Sequence, residues 1–241
     1  MKHKSALILI VIFSLSALIG QVSAQNTAAT PLPPDSRKLD EGRKRADSAT
    51  RVIIQIMSDR DKSIPRELLQ KASAVVVFPG VLKGAFVVGG QGGHGIVIRR
   101  TKDGWSAPAF LKMAGGSVGA QIGGSKIDYI MVIMNEGGLK GLFEDKFEIG
   151  GEASVSAGPV GRNAAASTNA TFDAQILTYS RSKGAFVGVS LKGAVITQDD
   201  VLNQGIYGKT AKALLIENVT PMSEAPEDLQ GFPKIVERFS K

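Results

Sequence analysis

The 241-residue chain contains no cysteine. That excludes a disulfide framework, a thiolate nucleophile and a cysteine acylation site, so stability has to come from packing. Histidine is nearly as scarce, His3 and His94 being the two present, so the usual donors of a zinc site are missing and no metal or other cofactor is expected. Aromatic residues make up 6% of the chain, with one Trp and three Tyr, which leaves few platforms for stacking bases; nucleic acid is not an expected partner. The longest apolar run, from Ala6 to Gly20, is shorter than the roughly 20 residues a membrane-crossing helix needs.

That run follows Lys2 and Lys4 and ends at Val22-Ser23-Ala24, the pattern of a secretory signal covering residues 1–24 and cut near Ala24. Export to a periplasm or to the medium is the location this pattern predicts. Residues 25–35 are small, polar and proline-bearing, and are expected to form a flexible linker. The remainder, 36–241, is long enough for one domain with a sizeable core. The full chain carries 29 Lys plus Arg against 22 Asp plus Glu, and loss of Lys2 and Lys4 would leave 27 against 22, a surplus that favours anionic partners.

From Ser36 to Ser58, Leu39, Ala46, Ala49, Ile53 and Ile56 recur at spacings of three, four and seven, which predicts an amphipathic helix. A short helix should follow, capped by Ser63 with Pro65 in its first turn, completing a helical part over 36–72. Beyond it the character changes. Apolar runs of four to six residues bounded by Gly or Pro, such as Ala74 to Phe78 and Ala85 to Val88, predict strands over 73–198. No long helical stretch separates most of them, so antiparallel pairing is expected. The fold class is therefore α+β: an antiparallel sheet forming a barrel-like or sandwich core, with an amino-terminal amphipathic helix and helices again over 199–241.

Three motifs invite a chemical interpretation. Gly90-Gln91-Gly92-Gly93-His94-Gly95 satisfies G-x-G-x-x-G, but Ile96-Val97-Ile98 after it reads as a strand where dinucleotide binding needs a helix; the glycines are expected to reverse the chain between two strands. Gly115-Gly116-Ser117-Val118-Gly119 matches G-x-S-x-G, and Ser117 with His94 and Asp128 makes a serine-hydrolase alternative. Glu144, Asp145, Glu148 and Glu152 cluster without the spacing of a calcium loop and read as a solvated acidic patch. Cations offer a stronger pattern. Arg43, Lys44, Arg45 and Arg51 lie on the first helix, while Lys83, Arg99, Arg100, Lys102, Lys112, Lys183 and Lys192 fall at strand ends or turns, where they could ring a mouth of the sheet and hold phosphate or carboxylate headgroups.

Several ordered blocks resemble a known family. Val77-Phe78-Pro79-Gly80, Gly84 to Gly89, Gly104 to Phe110, Gly116 to Gly123, Met131 to Glu136, and Lys183 to Val195 with Asn203 and Tyr207-Gly208 are similar to the SYLF domain. The resemblance runs from about Leu68 to Gly208. It implies a non-catalytic lipid-binding domain that in eukaryotic members recognises phosphoinositides, partly through an amino-terminal amphipathic helix, and in some members binds actin. Anionic lipid or a membrane surface is thus the expected partner, with Arg43, Lys44, Arg45, Lys83, Arg99, Arg100, Lys183 and Lys192 as candidate contacts. A protein partner or self-association stands as the alternative.

Overall fold

The structure is a computed structural model that describes residues 35–59, 62–85, 88–118, 123–144, 147–149, 154–161, 174–182, 185–188 and 193–241. The predicted signal, almost all of the linker, Lys183 and Lys192 lie outside the described residues. Helix α1 spans Ser36–Ser58; the Asp35 side chain accepts a hydrogen bond from the Arg37 N–H and satisfies a donor that the first turn leaves free. Its stripe of Ala46, Ala49, Val52, Ile53 and Ile56 is buried. Helix α2 covers Arg66–Lys71. Pro65, not Ser63, stands at its cap, so its start lies later than the sequence suggested.

Among the described residues ten strands follow: β1 Ala74–Ala85, β2 Val88–Thr101, β3 Gly104–Trp105, β4 Ala109–Val118, β5 Gly123–Ile133, β6 Phe147–Glu148, β7 Val155–Ala157, β8 Ile176–Ser182, β9 Ala185–Gly188 and β10 Ala194–Gln198. They join in the order β6-β10-β4-β2-β1-β5-β8-β7, with β3 beside β2 and β9 beside β8. Every pairing is antiparallel except β7 with β8. The sheet curls into a half-barrel, which agrees with the expected α+β class and replaces the alternative of a sandwich.

The glycine run does not reverse the chain. Strand β2 passes straight through Gly90 to Gly95 and pairs with β1 and β4 along the way, so the predicted break before Gly95 is absent. The physical reason lies in the neighbouring strand. A Cβ on Gly95 would stand 2.5 Å from the Phe78 ring, and one on Gly93 would stand 2.8 Å from Val81. Those glycines let buried β1 side chains lie flat across β2.

Along its first half the sheet is covered on both faces, which explains the continuous apolar run in β1. Val75 and Val77 join Ile96, Ile98, Phe110, Ile130 and Val132 beneath α1. Ala74, Val76 and Phe78 face the other way, with Leu111, Met131 and Ile133. That second face is closed by α3, Glu136–Gly141, and by the π-helical turn Ala213–Glu217. Helix α4, Asp200–Tyr207, and helix α5, Gly231–Phe239, pack with α1 on the first face. Close approach of α1 to α4 rests on Gly42, where a Cβ would come 2.7 Å from Ile206.

Candidate functional site

Beyond the edge of α1 the same strands continue with almost no side chains. Gly116 of β4, Gly90 of β2, Gly84 of β1 and Gly124 of β5 stand in register as one row across four strands. The next row on that face is Ala114, Gly92, Leu82 and Lys126. A Cβ would meet nothing within 4 Å at Gly84, Gly116 or Gly124, and nothing nearer than 3.8 Å at Gly90 or Gly92. The chain's own packing therefore does not require glycine in that row. Leu82, 60% exposed, is a large apolar side chain left beside it.

A one-residue irregularity sets this face. Between Val77 and Leu82 the β1 register slips against β2, and Gly80 adopts φ +62° there while its N–H donates to Asp128 Oδ1 at 2.8 Å. Extra residues of this kind re-aim a strand. The slip brings Leu82 to the α1 side of the sheet and sends Lys83 to the opposite side.

Between the platform and α1 lies a cleft of about 680 Å³. Gly92, Gly93 and Leu82 contribute its floor, and Lys44, Arg45, Ser48 and Arg51 its helical wall. Lys44, Ser48, Arg51 and Gln55 recur at the helical repeat, which is why one flank of α1 presents them together. Arg181 of β8 and His94 of β2 complete the basic lining, against Glu41 and Asp128. Arg51 donates to Ser48 Oγ at 2.9 Å and has no carboxylate partner among the described residues. Arg181 stands 3.6 Å from Asp128 and Lys44 stands 2.6 Å from Asp40.

Under the cleft sits a buried charge hub. Asp199, with its side chain 3% exposed, receives Arg45 at 2.7 Å and Lys112 at 3.1 Å, and His94 Nδ1 stands 3.7 Å away. Arg45 also bonds Glu41 and lies 6.0 Å from the Phe110 ring centroid. Burial alone would raise the Asp199 carboxyl; the Arg45 and Lys112 contacts outweigh it and hold the group below its usual value. Asp199 is positioned by the backbone, because its N–H donates to the Phe110 carbonyl at 3.0 Å. Asn203, one turn on, bonds both the N–H and the carbonyl of Phe110, at 2.8 and 2.9 Å, fixing α4 to β4.

The candidate cations separate clearly. Lys44 and Arg45 line the cleft, and Arg43 lies beside them on α1, paired with Asp40 and Asp47. Arg99 donates to the Leu215 carbonyl at 2.8 Å and to Glu136 at 3.0 Å, away from the cleft. Arg100 donates to the carbonyls of Ala72 and Leu69, capping the end of α2, and lies 4.3 Å from the Trp105 ring. Lys83 is exposed on the opposite face. Arg51, part of the basic helix face in the sequence but not among the candidate contacts, shares the stripe with Lys44; Arg181 carries no local signal, since only β5–β8 pairing brings it in. The hydrolase arrangement is not assembled. Ser117 lies five residues along β4 from Lys112, the partner of His94, a separation of roughly 17 Å at the rise of a strand.

The fold and site together are an α+β half-barrel with a basic cleft beside a glycine platform, and among the described residues there is no metal-ligating cluster. The chain belongs to the Ysc84 family, described as "Las17-binding protein actin regulator", which it matches over residues 114–235. It is 37% identical over 167 residues to LAS seventeen-binding protein 3 of Saccharomyces cerevisiae, covering 67% of this chain and 36% of that one. Protein YSC84 of the same yeast is 33% identical over 189 residues, covering 76% and 40%. SH3 domain-containing YSC84-like protein 1 of Homo sapiens is 31% identical over 204 residues, covering 83% and 58%. The chain thus spans less than two thirds of each of these relatives.

These relatives support the SYLF resemblance and correct the expected location. They are eukaryotic proteins, and the family is named for Las17 binding and actin regulation; actin is a cytosolic polymer. That points against the exported periplasmic or secreted location expected from the sequence.

Proposed function

We propose that this chain is a non-catalytic binding module that captures the phosphate of an anionic phospholipid headgroup in the cleft between α1 and the glycine platform. One observation carries this reading. Lys44, Arg45, Arg51 and Arg181 surround a floor of bare backbone and the exposed Leu82, so positive charge and apolar surface meet in one concavity. A phosphate diester suits guanidinium and ammonium donors, and the adjoining glycyl carbon and Leu82 suit the start of an acyl chain. Arg43, on the neighbouring turn of α1, adds long-range attraction to an anionic surface.

Vesicle flotation tests this reading. Binding to phosphatidylglycerol vesicles at low salt, weakened as salt is added and absent with phosphatidylcholine alone, is the expected result. A folded chain that floats with neither sinks it. A second reading, a protein partner at the same surface, draws on relatives named for binding Las17. It predicts no flotation, together with saturable capture of a purified Las17-type protein that the double variant K44E/R51E abolishes.

A further inference from the structure

The charge hub under the cleft balances almost to zero. Two cations, Arg45 and Lys112, meet two carboxylates, Asp199 and Glu41, and His94 stands beside them with its side chain 56% exposed. At 3.7 Å from Asp199, its Nδ1 is too distant for a hydrogen bond and too close to ignore its charge. His94 also lines the cleft itself, two positions along β2 from Gly92 of the floor. We propose that His94 makes anion capture in this cleft acid-dependent: a phosphate diester is held more tightly once the imidazole carries a proton. This rests on the lipid reading and names a control on the same site.

The groups facing His94 come from five other elements. Glu41, Lys44, Arg45 and Arg51 are on α1, Lys112 on β4, Asp128 on β5, Arg181 on β8, and Asp199 at the start of α4. With Asp40, the partner of Lys44, five cations against four carboxylates leave a surplus of one charge when the ring is neutral and two when it is protonated. Burial lowers the His94 imidazole below its ordinary value, Arg45 and Lys112 act in the same direction, and Asp199 and Glu41 oppose them. The lowered value disfavours the proton in the free protein, so acidification is what loads it onto the ring. A bound phosphate adds negative charge beside it and favours the protonated form. By reciprocity, protonation strengthens phosphate binding. No other histidine is among the described residues.

The test is flotation of the full chain with phosphatidylglycerol vesicles at constant ionic strength, at about pH 5 and about pH 7.5, where this lipid's phosphodiester keeps one charge. The native chain should bind on the order of tenfold tighter at the lower pH, the ratio that one unit of pKa difference between free and bound protein sets. His94→Gln should reduce that ratio to below about twofold, and His94→Arg should bind tightly at both pH values with an equally flat profile. The exposed ring makes both variants compatible with folding, which matching circular dichroism melts would verify. Soluble glycerophosphoglycerol, titrated in parallel, sorts the source of the phosphate. The acid gain with vesicles alone assigns an intact lipid, and the gain with both assigns the headgroup diester; either supports the proposal. Binding that ignores pH, or that keeps its slope in H94Q, overturns this inference alone. No binding at either pH overturns the lipid reading with it.

Discussion

Along β1, Ala74, Val75, Val76, Val77 and Phe78 are fully buried, yet a few residues further Leu82 is 60% exposed and a Cβ on Gly84 would touch nothing. The same contrast holds across the sheet. In β2, Ile96, Val97 and Ile98 are buried on both faces while Gly90 and Gly92 are exposed. One half of each strand is occupied with holding the domain together; the other is held by backbone pairing and left bare. A large bare backbone surface weakens a sheet, since each strand glycine costs about 0.5–1 kcal/mol relative to Ala. Its position beside a basic cleft gives it a use that stability does not.

Substitutions in the two halves should therefore behave oppositely. Phe78→Ala removes a fully buried ring and should cost about 3–5 kcal/mol in urea unfolding. Asp199→Asn, at the boundary between the halves, leaves Arg45 and Lys112 without their shared carboxylate and should cost about 3 kcal/mol. This effect has a pH signature. Because the folded carboxyl lies below its unfolded value, the stabilisation is present in full above about pH 4 and is lost as pH falls through the folded-state value. The native chain should thus lose more stability than D199N between about pH 4 and pH 2, and parallel curves would contradict the hub.

Gly95→Ala drives a methyl into the Phe78 ring and should cost about 1–3 kcal/mol, measured by the same denaturation. Arg51→Gln should leave the melt unchanged and weaken vesicle binding by about 1 kcal/mol, or roughly fivefold. Gly84→Ala, in the bare half, should stabilise the fold by about 0.5–1 kcal/mol. A loss of stability there comparable to that of G95A would show that the two halves are not different after all.

Much of this contrast was legible before the structure. The spacing of Ala46, Ala49, Ile53 and Ile56 located α1, and the run Ala74 to Phe78 located the buried start of β1. The platform was not legible as such, because Gly90 to Gly95 satisfies both a turn pattern and a strand that must pass beneath Phe78, and only the partner strand decides between them. The cleft was half visible. Arg43, Lys44 and Arg45 read as one basic cluster, whereas the helical repeat divides them: Arg45 turns inward to Asp199 and Lys44 joins Arg51 at the rim. Asp199 lies 154 residues from Arg45, so no local pattern could connect them. Arg99 and Arg100 looked equivalent to the others in sequence; carbonyls at the ends of helical turns claim their donors.

The most direct measurement is an amide NMR titration of the full chain with a short-chain phosphatidylglycerol kept below its micelle concentration. The account predicts saturable shifts at Leu82, Gly92, Gly93 and His94 and at the Arg51 side chain, with Arg99, Trp105 and α5 unmoved. Shifts confined to the sheet edges or to the carboxyl-terminal helices, or none at all from a folded chain, would contradict it.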